Sequence, residues 1–171
     1  AVVYDVEAES VAFEPSLPAD VGQVGAVHLT DDDELLVGTG ADNGDVVAMF
    51  DIADGSTIAD YREHIFSVST VAYDPEHEVI VSMGFDNTIT FYDIEAEEVA
   101  AVYEHEDTIY AGDLDLRNDL LWFGDGEERT GTVTGIDVFF EEATPTPTET
   151  PSPDVTPTTE PASEETATVE P

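Results

Sequence analysis

The chain has 171 residues, of which 41 are acidic and only three are basic, so its formal net charge is −38. This balance excludes nucleic acid and anionic membrane surfaces as direct partners, because three arginines cannot neutralise phosphate groups that 41 carboxylates repel. The absence of cysteine excludes a disulfide framework, a thiolate metal site and a cysteine nucleophile.

The composition also predicts a high-salt environment. A hydrophobic content of 41% is ordinary for a folded protein, whereas the charge is extreme. Charge of this size destabilises a compact state through self-repulsion, and salt screens that repulsion with a Debye length of about 3 Å at 1 M. We therefore expect a folded protein from an extreme halophile, and we expect that halophile to be an archaeon.

In chain order, the predicted elements are short strands rich in β-branched and aromatic residues, separated by Gly, Pro, Asp and Asn. Residues 1–6 and 10–13 predict the third and fourth strands of a unit whose first half is missing. The first complete unit has predicted strands at residues 25–29, 35–39, 46–52 and 57–61. The second has apolar runs at residues 68–73, 79–81, 89–92 and 99–103. The third has predicted strands at 109–116, 120–123 and 132–140, a wide acidic loop at 124–131 and no fourth strand.

These units repeat with a regular period. An apolar residue followed by aspartate ends each third strand. The aspartates are Asp5, Asp51, Asp93 and Asp137, and successive ones are 46, 42 and 44 residues apart. Four strands in about 40–45 residues are the signature of a propeller blade. We therefore predict an all-β fold, an incomplete β-propeller of about three four-stranded blades plus a partial N-terminal blade. The predicted propeller occupies residues 1–143, with divisions at 1–23, 24–64, 65–107 and 108–140.

The second unit resembles a WD-repeat blade. In that family a histidine opens the blade, an aspartate lies in the turn after the second strand, and Trp-Asp ends the third strand. The matching residues here are His64, Asp86 and Tyr92-Asp93, and His105 opens the next unit. The surface-layer and quinone-enzyme propeller families are the alternatives.

The resemblance implies a structural role for these residues. In the family they form a hydrogen-bonded network that joins strands, which here would include His64, Asp86 and Tyr92 or a strand hydroxyl such as Ser82. The sequence departs from the family pattern in two ways, since no third strand contains Trp, and the Gly that usually precedes the histidine is Glu63 or Glu104.

Residues 144–171 differ abruptly from the blades. They are rich in Thr, Pro and Glu and contain neither Gly nor an aromatic residue. This composition predicts a disordered, mucin-like stalk, and the alternative is a plain acidic tail or linker. With the stalk we expect an extracellular or cell-surface location; the alternative is the cytoplasm of a halophile that accumulates salt.

No catalytic, cofactor-binding or metal-binding residues are predicted. The acidic turn at residues 30–34 lacks the glycine and distal glutamate spacing of an EF-hand. We expect the single tryptophan, Trp122, to fill space between blades.

The predicted function is a non-enzymatic protein-interaction or scaffold module, displayed on a halophile surface, whose protein partner is unidentified. The alternative is the C-terminal part of an extracellular propeller enzyme, a quinone-dependent dehydrogenase or a lactonase-like hydrolase, with its site in upstream blades. Three blades are too few to close a ring. We therefore expect a fragment preceded by three or four further units, or a chain that self-associates through open terminal blades.

Overall fold

The computed structural model describes residues 2–18, 20–40, 46–127 and 130–138. Within these ranges every regular element is a strand, and thirteen strands follow one another along the chain. The described residues contain no helix that could cross a membrane. The predicted stalk lies outside the described residues.

The strands form four antiparallel sheets, each built from consecutive strands. The small sheet contains β1 (Val3–Asp5) and β2 (Ser10–Phe13). The first sheet contains β3 (Gln23–Leu29), β4 (Glu34–Gly40), β5 (Val47–Asp51) and β6 (Thr57–Tyr61). The central sheet contains β7 (Val68–Asp74), β8 (Val79–Gly84), β9 (Thr88–Asp93) and β10 (Glu98–Glu104). The last sheet contains β11 (Ile109–Asp115), β12 (Leu120–Glu127) and β13 (Thr130–Asp137).

This architecture confirms the predicted fold class. Two four-stranded meanders, a two-stranded sheet before them and a three-stranded sheet after them make an open, propeller-like series of sheets. The last sheet has three strands among the described residues, and the predicted absence of a fourth strand falls on residues outside them. The predicted wide loop at 124–131 is wrong, because β12 and β13 stay paired from Leu120 and Asp137 to Glu127 and Thr130. The Gly-Asp-Gly sequence that indicated a turn lies within this ladder.

The three larger sheets share a register irregularity near the start of their first strand. It falls between Val24 and Ala26, between Val68 and Thr70, and between Ile109 and Ala111. Aligning the three sheets on this shared bulge identifies equivalent positions in their second strands, which are β4, β8 and β12. One set of equivalent residues is Val37, Ser82 and Phe123, and a second set is Thr39, Gly84 and Asp125.

The hydrophobic core lies between successive sheets, because alternate residues of each strand face opposite sides. In β4, Leu36 faces the central sheet, whereas Leu35 and Val37 face the small sheet. In β8, Ile80 faces the first sheet and Val81 faces the last. The central sheet is therefore buried on both faces.

The last sheet has one covered face. Leu121 and Phe123 point into the core shared with the central sheet. Trp122, between them, points the other way and is 43% exposed, lying over Gly135, where an added Cβ would meet its ring at 2.8 Å. The expectation that Trp122 fills space between blades is therefore wrong for the described sheets, because the alternation of β12 directs its neighbours inward.

Candidate functional site

His64 lies at the centre of a buried hydrogen-bond network. Its Nδ1 is 3.1 Å from Oδ1 of Asp86, in the turn after β8, and its Nε2 is 2.7 Å from Oγ of Ser82 in β8. The hydroxyl of Tyr61, at the end of β6, lies 2.8 Å from the same Ser82 oxygen. The network therefore connects the first sheet, the segment 62–67 and the central sheet.

The hydrogen-bonding capacities of these groups determine the direction of the network. An ionised carboxylate only accepts, so Nδ1 of His64 carries the proton that it donates to Asp86. Nε2 of a neutral imidazole then accepts from the Ser82 hydroxyl, which in turn accepts from Tyr61. Burial raises the pKa of Tyr61, so its hydroxyl stays protonated and serves as the donor. Every member of the network therefore has a hydrogen-bond partner.

Asp86 receives further hydrogen bonds that hold it ionised. The backbone N–H of Ile65 donates to it at 2.8 Å, and the Thr88 hydroxyl donates at 2.7 Å. Burial alone raises the pKa of Asp86, but the hydrogen bonds from Thr88 and Ile65 and the proximity of His64 outweigh it and leave the pKa lowered. Gly84 makes room for this arrangement, because an added Cβ there would lie 2.5 Å from both Asp86 Oδ1 and His64 Nδ1.

Tyr92, Asp93 and His105, which were also named from the resemblance, do not hydrogen-bond to His64 in the described part of the chain. The Tyr92 ring stacks on the Tyr61 ring with centroids 4.5 Å apart, so it contacts a network member without hydrogen-bonding to His64. Asp93 instead caps the turn after β9, where its Oδ1 accepts the N–H of Ala96 at 2.9 Å. Asp5 and Asp51 likewise accept backbone N–H groups in the following turns. In these three units the repeated aspartate thus ends a strand and caps the turn that follows it.

His105 belongs to a second cluster in the last sheet. Its Nε2 lies 2.6 Å from Oδ2 of Asp125, which is in β12. Asp125 also accepts hydrogen bonds from the Thr132 hydroxyl and backbone and from the Thr134 hydroxyl. The Thr132 hydrogen bond has the largest effect and lowers the pKa of Asp125; burial opposes it, and the His105 ring contributes a further lowering.

The two clusters differ because equivalent positions hold different residues. Phe123 replaces Ser82, so a ring edge lies beside His105, with centroids 5.0 Å apart, where His64 has a hydroxyl. Asp125 replaces Gly84, so the carboxylate comes from the strand rather than from the turn after it. Sequence reasoning missed Asp125 for this reason, and it missed Tyr61, Thr88 and Thr132. One available signal was a tyrosine shortly before each histidine, Tyr61 before His64 and Tyr103 before His105.

Four exposed apolar side chains, which we call the aromatic patch, lie on the segment and the turn that hold the His64 network and on the neighbouring strand β11. The patch consists of Ile65, Phe66, Phe85 and Tyr110, whose exposures are 73%, 58%, 42% and 56%. The rings of Phe85 and Tyr110 are 5.9 Å apart, which joins the central and last sheets. Two hydrogen bonds connect the segment that contains Ile65 and Phe66 to the turn that contains Phe85. The N–H of Ile65 donates to Asp86, and the N–H of Phe85 donates to the Ser67 carbonyl at 3.0 Å.

Comparisons with known proteins support the fold alone. No protein-family model matches the chain, and no curated protein matches it either. The chain is similar to the crystal structure of the computationally designed Ika4 protein, with a TM-score of 0.55 and 20% identity over 72% of this chain and 71% of that one. It is also similar to the computationally designed Ika8 protein, with a TM-score of 0.54 and 18% identity over 67% of this chain. The match spans 33%, about a third, of the Ika8 chain.

Proposed function

We propose that residues 1–143 are a non-enzymatic protein-interaction module of the WD-repeat type, displayed by a halophile, and that the aromatic patch binds the partner. The observation that carries this proposal is the patch itself: three aromatic rings and an isoleucine exposed together on a chain with a net charge of −38. Contiguous exposed apolar surface in a soluble protein is typical of an interaction site, and aromatic residues dominate binding energy at such sites.

The contacts beneath the patch support this role by restricting its motion. Ile65 follows the buried His64 directly and donates its N–H to Asp86, while Phe85 precedes Asp86 in the same turn. The segment 62–67 and the turn 85–87 are therefore held from below by one network. A surface that is already ordered loses less conformational entropy on binding, which favours affinity.

The charge of the chain indicates the chemistry of the partner. A chain with 41 acidic side chains favours a partner whose exposed aliphatic or aromatic residues are bordered by lysine or arginine. At molar salt the Debye length is about 3 Å, so surface charge pairs contribute little to affinity. At high salt the aromatic patch then carries most of the binding free energy, and selection by charge operates only at lower salt.

Peptide display under high salt tests this proposal. A random peptide library is selected against the wild-type chain, and the enriched peptides are then measured against Phe66→Ser and against Val6→Ser. Val6 is the matched control, because it is 80% exposed but belongs to the turn of the small sheet. Both substituted side chains are exposed, so melting curves should show that both variants fold.

We expect enriched peptides with an apolar or aromatic centre. Loss of an aromatic hot-spot side chain costs about 2 kcal/mol, so Phe66→Ser should weaken binding by about 30-fold, while Val6→Ser leaves it unchanged. Peptides that bind Phe66→Ser as tightly as wild type would show that the aromatic patch is not the binding surface.

A further inference from the structure

The opening segment of the last unit differs from that of the central unit in the residues beside its histidine. His64 is followed by Ile65 and Phe66, whereas His105 is followed by Glu106 and Asp107. The apolar pair that contributes to the aromatic patch is thus replaced by two carboxylates. Asp107 is half-buried, and ligand atoms of His105, Asp107 and Asp125 all lie within 4.8 Å of one another.

We propose that His105, Asp107 and Asp125 bind one divalent transition-metal ion of the Zn²⁺ type. One imidazole nitrogen and two carboxylate oxygens are donors that Zn²⁺ accepts, and the imidazole favours such an ion over Ca²⁺ or Mg²⁺, which prefer oxygen alone. Three protein ligands leave one position of a tetrahedral ion for water.

The distances require only a small adjustment. With metal–ligand bonds of about 2.1 Å, two ligand atoms of a tetrahedral ion lie about 3.4 Å apart. Nε2 of His105 and Oδ2 of Asp125 are now 2.6 Å apart, so the ion would replace the proton between them and open the pair by less than 1 Å, on the order of a side-chain adjustment. Asp107, which lies in the turn before β11 rather than in a strand, can close the remaining distance by a change of side-chain torsion.

The surroundings of the cluster match those of a metal site. Thr132 and Thr134 donate hydrogen bonds to Asp125 and orient its carboxylate, which is the role that outer hydrogen-bond partners have around bound metals. The His105 side chain is 17% exposed, so an ion can reach it. By contrast, the His64 side chain is 1% exposed, and its two nitrogens are occupied by Asp86 and Ser82.

Titration calorimetry with Zn²⁺, supported by Co²⁺ absorption spectroscopy, tests the site. Sodium sulfate should supply the ionic strength, since concentrated chloride itself complexes Zn²⁺. The full chain is compared with Asp107→Asn, Thr132→Val and Glu106→Gln. Glu106→Gln is the matched control, because it removes one negative charge at the neighbouring exposed position and leaves the three ligands intact.

We expect one Zn²⁺ per chain and a tetrahedral Co²⁺ spectrum. Thr132→Val should weaken binding by about 10–100-fold, as loss of an outer partner does, and Asp107→Asn by at least as much. Glu106→Gln should bind like wild type. Several weak sites per chain, or equal losses in Asp107→Asn and Glu106→Gln, would mean that the cation is attracted only by the diffuse negative charge and would overturn the proposal. Asp107→Asn leaves the His105–Asp125 pair in place, so it should fold.

Discussion

Replacing Ser82 by alanine removes the hydroxyl that links Tyr61 to His64. Ser82 is fully buried in β8, and its oxygen has one short contact on each side, 2.8 Å to Tyr61 and 2.7 Å to His64. The substitution deletes one small atom and leaves two buried polar groups without their partner. Its effect therefore measures the contribution of the network to stability.

The magnitude follows from those two groups. A buried donor or acceptor left unsatisfied costs about 1–3 kcal/mol, and because the two groups are neighbours their costs are not fully additive. We expect Ser82→Ala to lower the free energy of unfolding by about 2–4 kcal/mol. For the unit Ala1–Phe140, with an unfolding entropy of about 0.3 kcal/mol/K, this corresponds to a Tm about 7–14 °C lower.

The central sheet offers a matched control. Thr90 lies opposite Ser82 in the β8–β9 ladder and is 1% exposed, but within the described residues its hydroxyl has no hydrogen-bond partner. Thr90→Val replaces that hydroxyl with a methyl group of similar size. We expect this variant to be as stable as wild type or more stable by up to about 1 kcal/mol, because an unsatisfied buried hydroxyl is removed.

Urea unfolding of the three proteins, followed by circular dichroism at one fixed high salt concentration, gives the comparison. The reasoning is refuted if Ser82→Ala and Thr90→Val change stability by the same amount, or if Ser82→Ala costs less than about 1 kcal/mol. Either result would mean that the hydrogen bonds of the His64 network add nothing to the free energy of unfolding beyond the packing of the same side chains.

Two further predictions concern pH and salt. The pKa of Asp86 is lower in the folded than in the unfolded chain, so its stabilisation is present above the unfolded value of about 3.9 and is lost as the pH falls through the lower folded value. The stability difference between wild type and Asp86→Asn, measured by urea titration, should therefore be constant near neutral pH and shrink below about pH 4; a difference that persists in acid contradicts this assignment. Because of the −38 charge, the strand signal in circular dichroism and the Tm should fall as salt decreases from multimolar toward about 0.1 M, and values unchanged across that series would show that self-repulsion is unimportant.

The sheets could be predicted from the sequence because their signal is local. Alternating apolar residues and turn residues define each strand, and the aspartate at the end of the third strand, as in Asp51 and Asp93, recurs because it caps the following turn. The pattern is repeated in each unit, so weak local evidence accumulates over the chain.

The site could be predicted only in part. The resemblance to a WD-repeat blade implied that His64 and Asp86 share a hydrogen-bonded network, and the structure brings them together with Ser82. Tyr61 was missed because it comes from the last strand of the preceding sheet, and contacts between sheets leave no periodic signal. Asp125 was missed because its flanking glycines indicate a turn, whereas pairing with β13 holds it in a strand. The prediction for Trp122 was wrong because its orientation depends on which face of the last sheet packs against the central sheet.

The burial of the central sheet on both faces affects the order in which the sheets unfold. The residues of β8 alternate between two separate cores, one shared with the first sheet and one with the last. Disrupting the central sheet therefore breaks both cores at once, whereas detachment of the last sheet breaks only the core that it shares with the central sheet. Stability in such a series is approximately a sum of unit and nearest-neighbour contributions. Local opening should begin at the small sheet or the last sheet, each of which packs against one neighbour among the described residues, and the backbone amides of β8 should be the slowest to exchange with solvent.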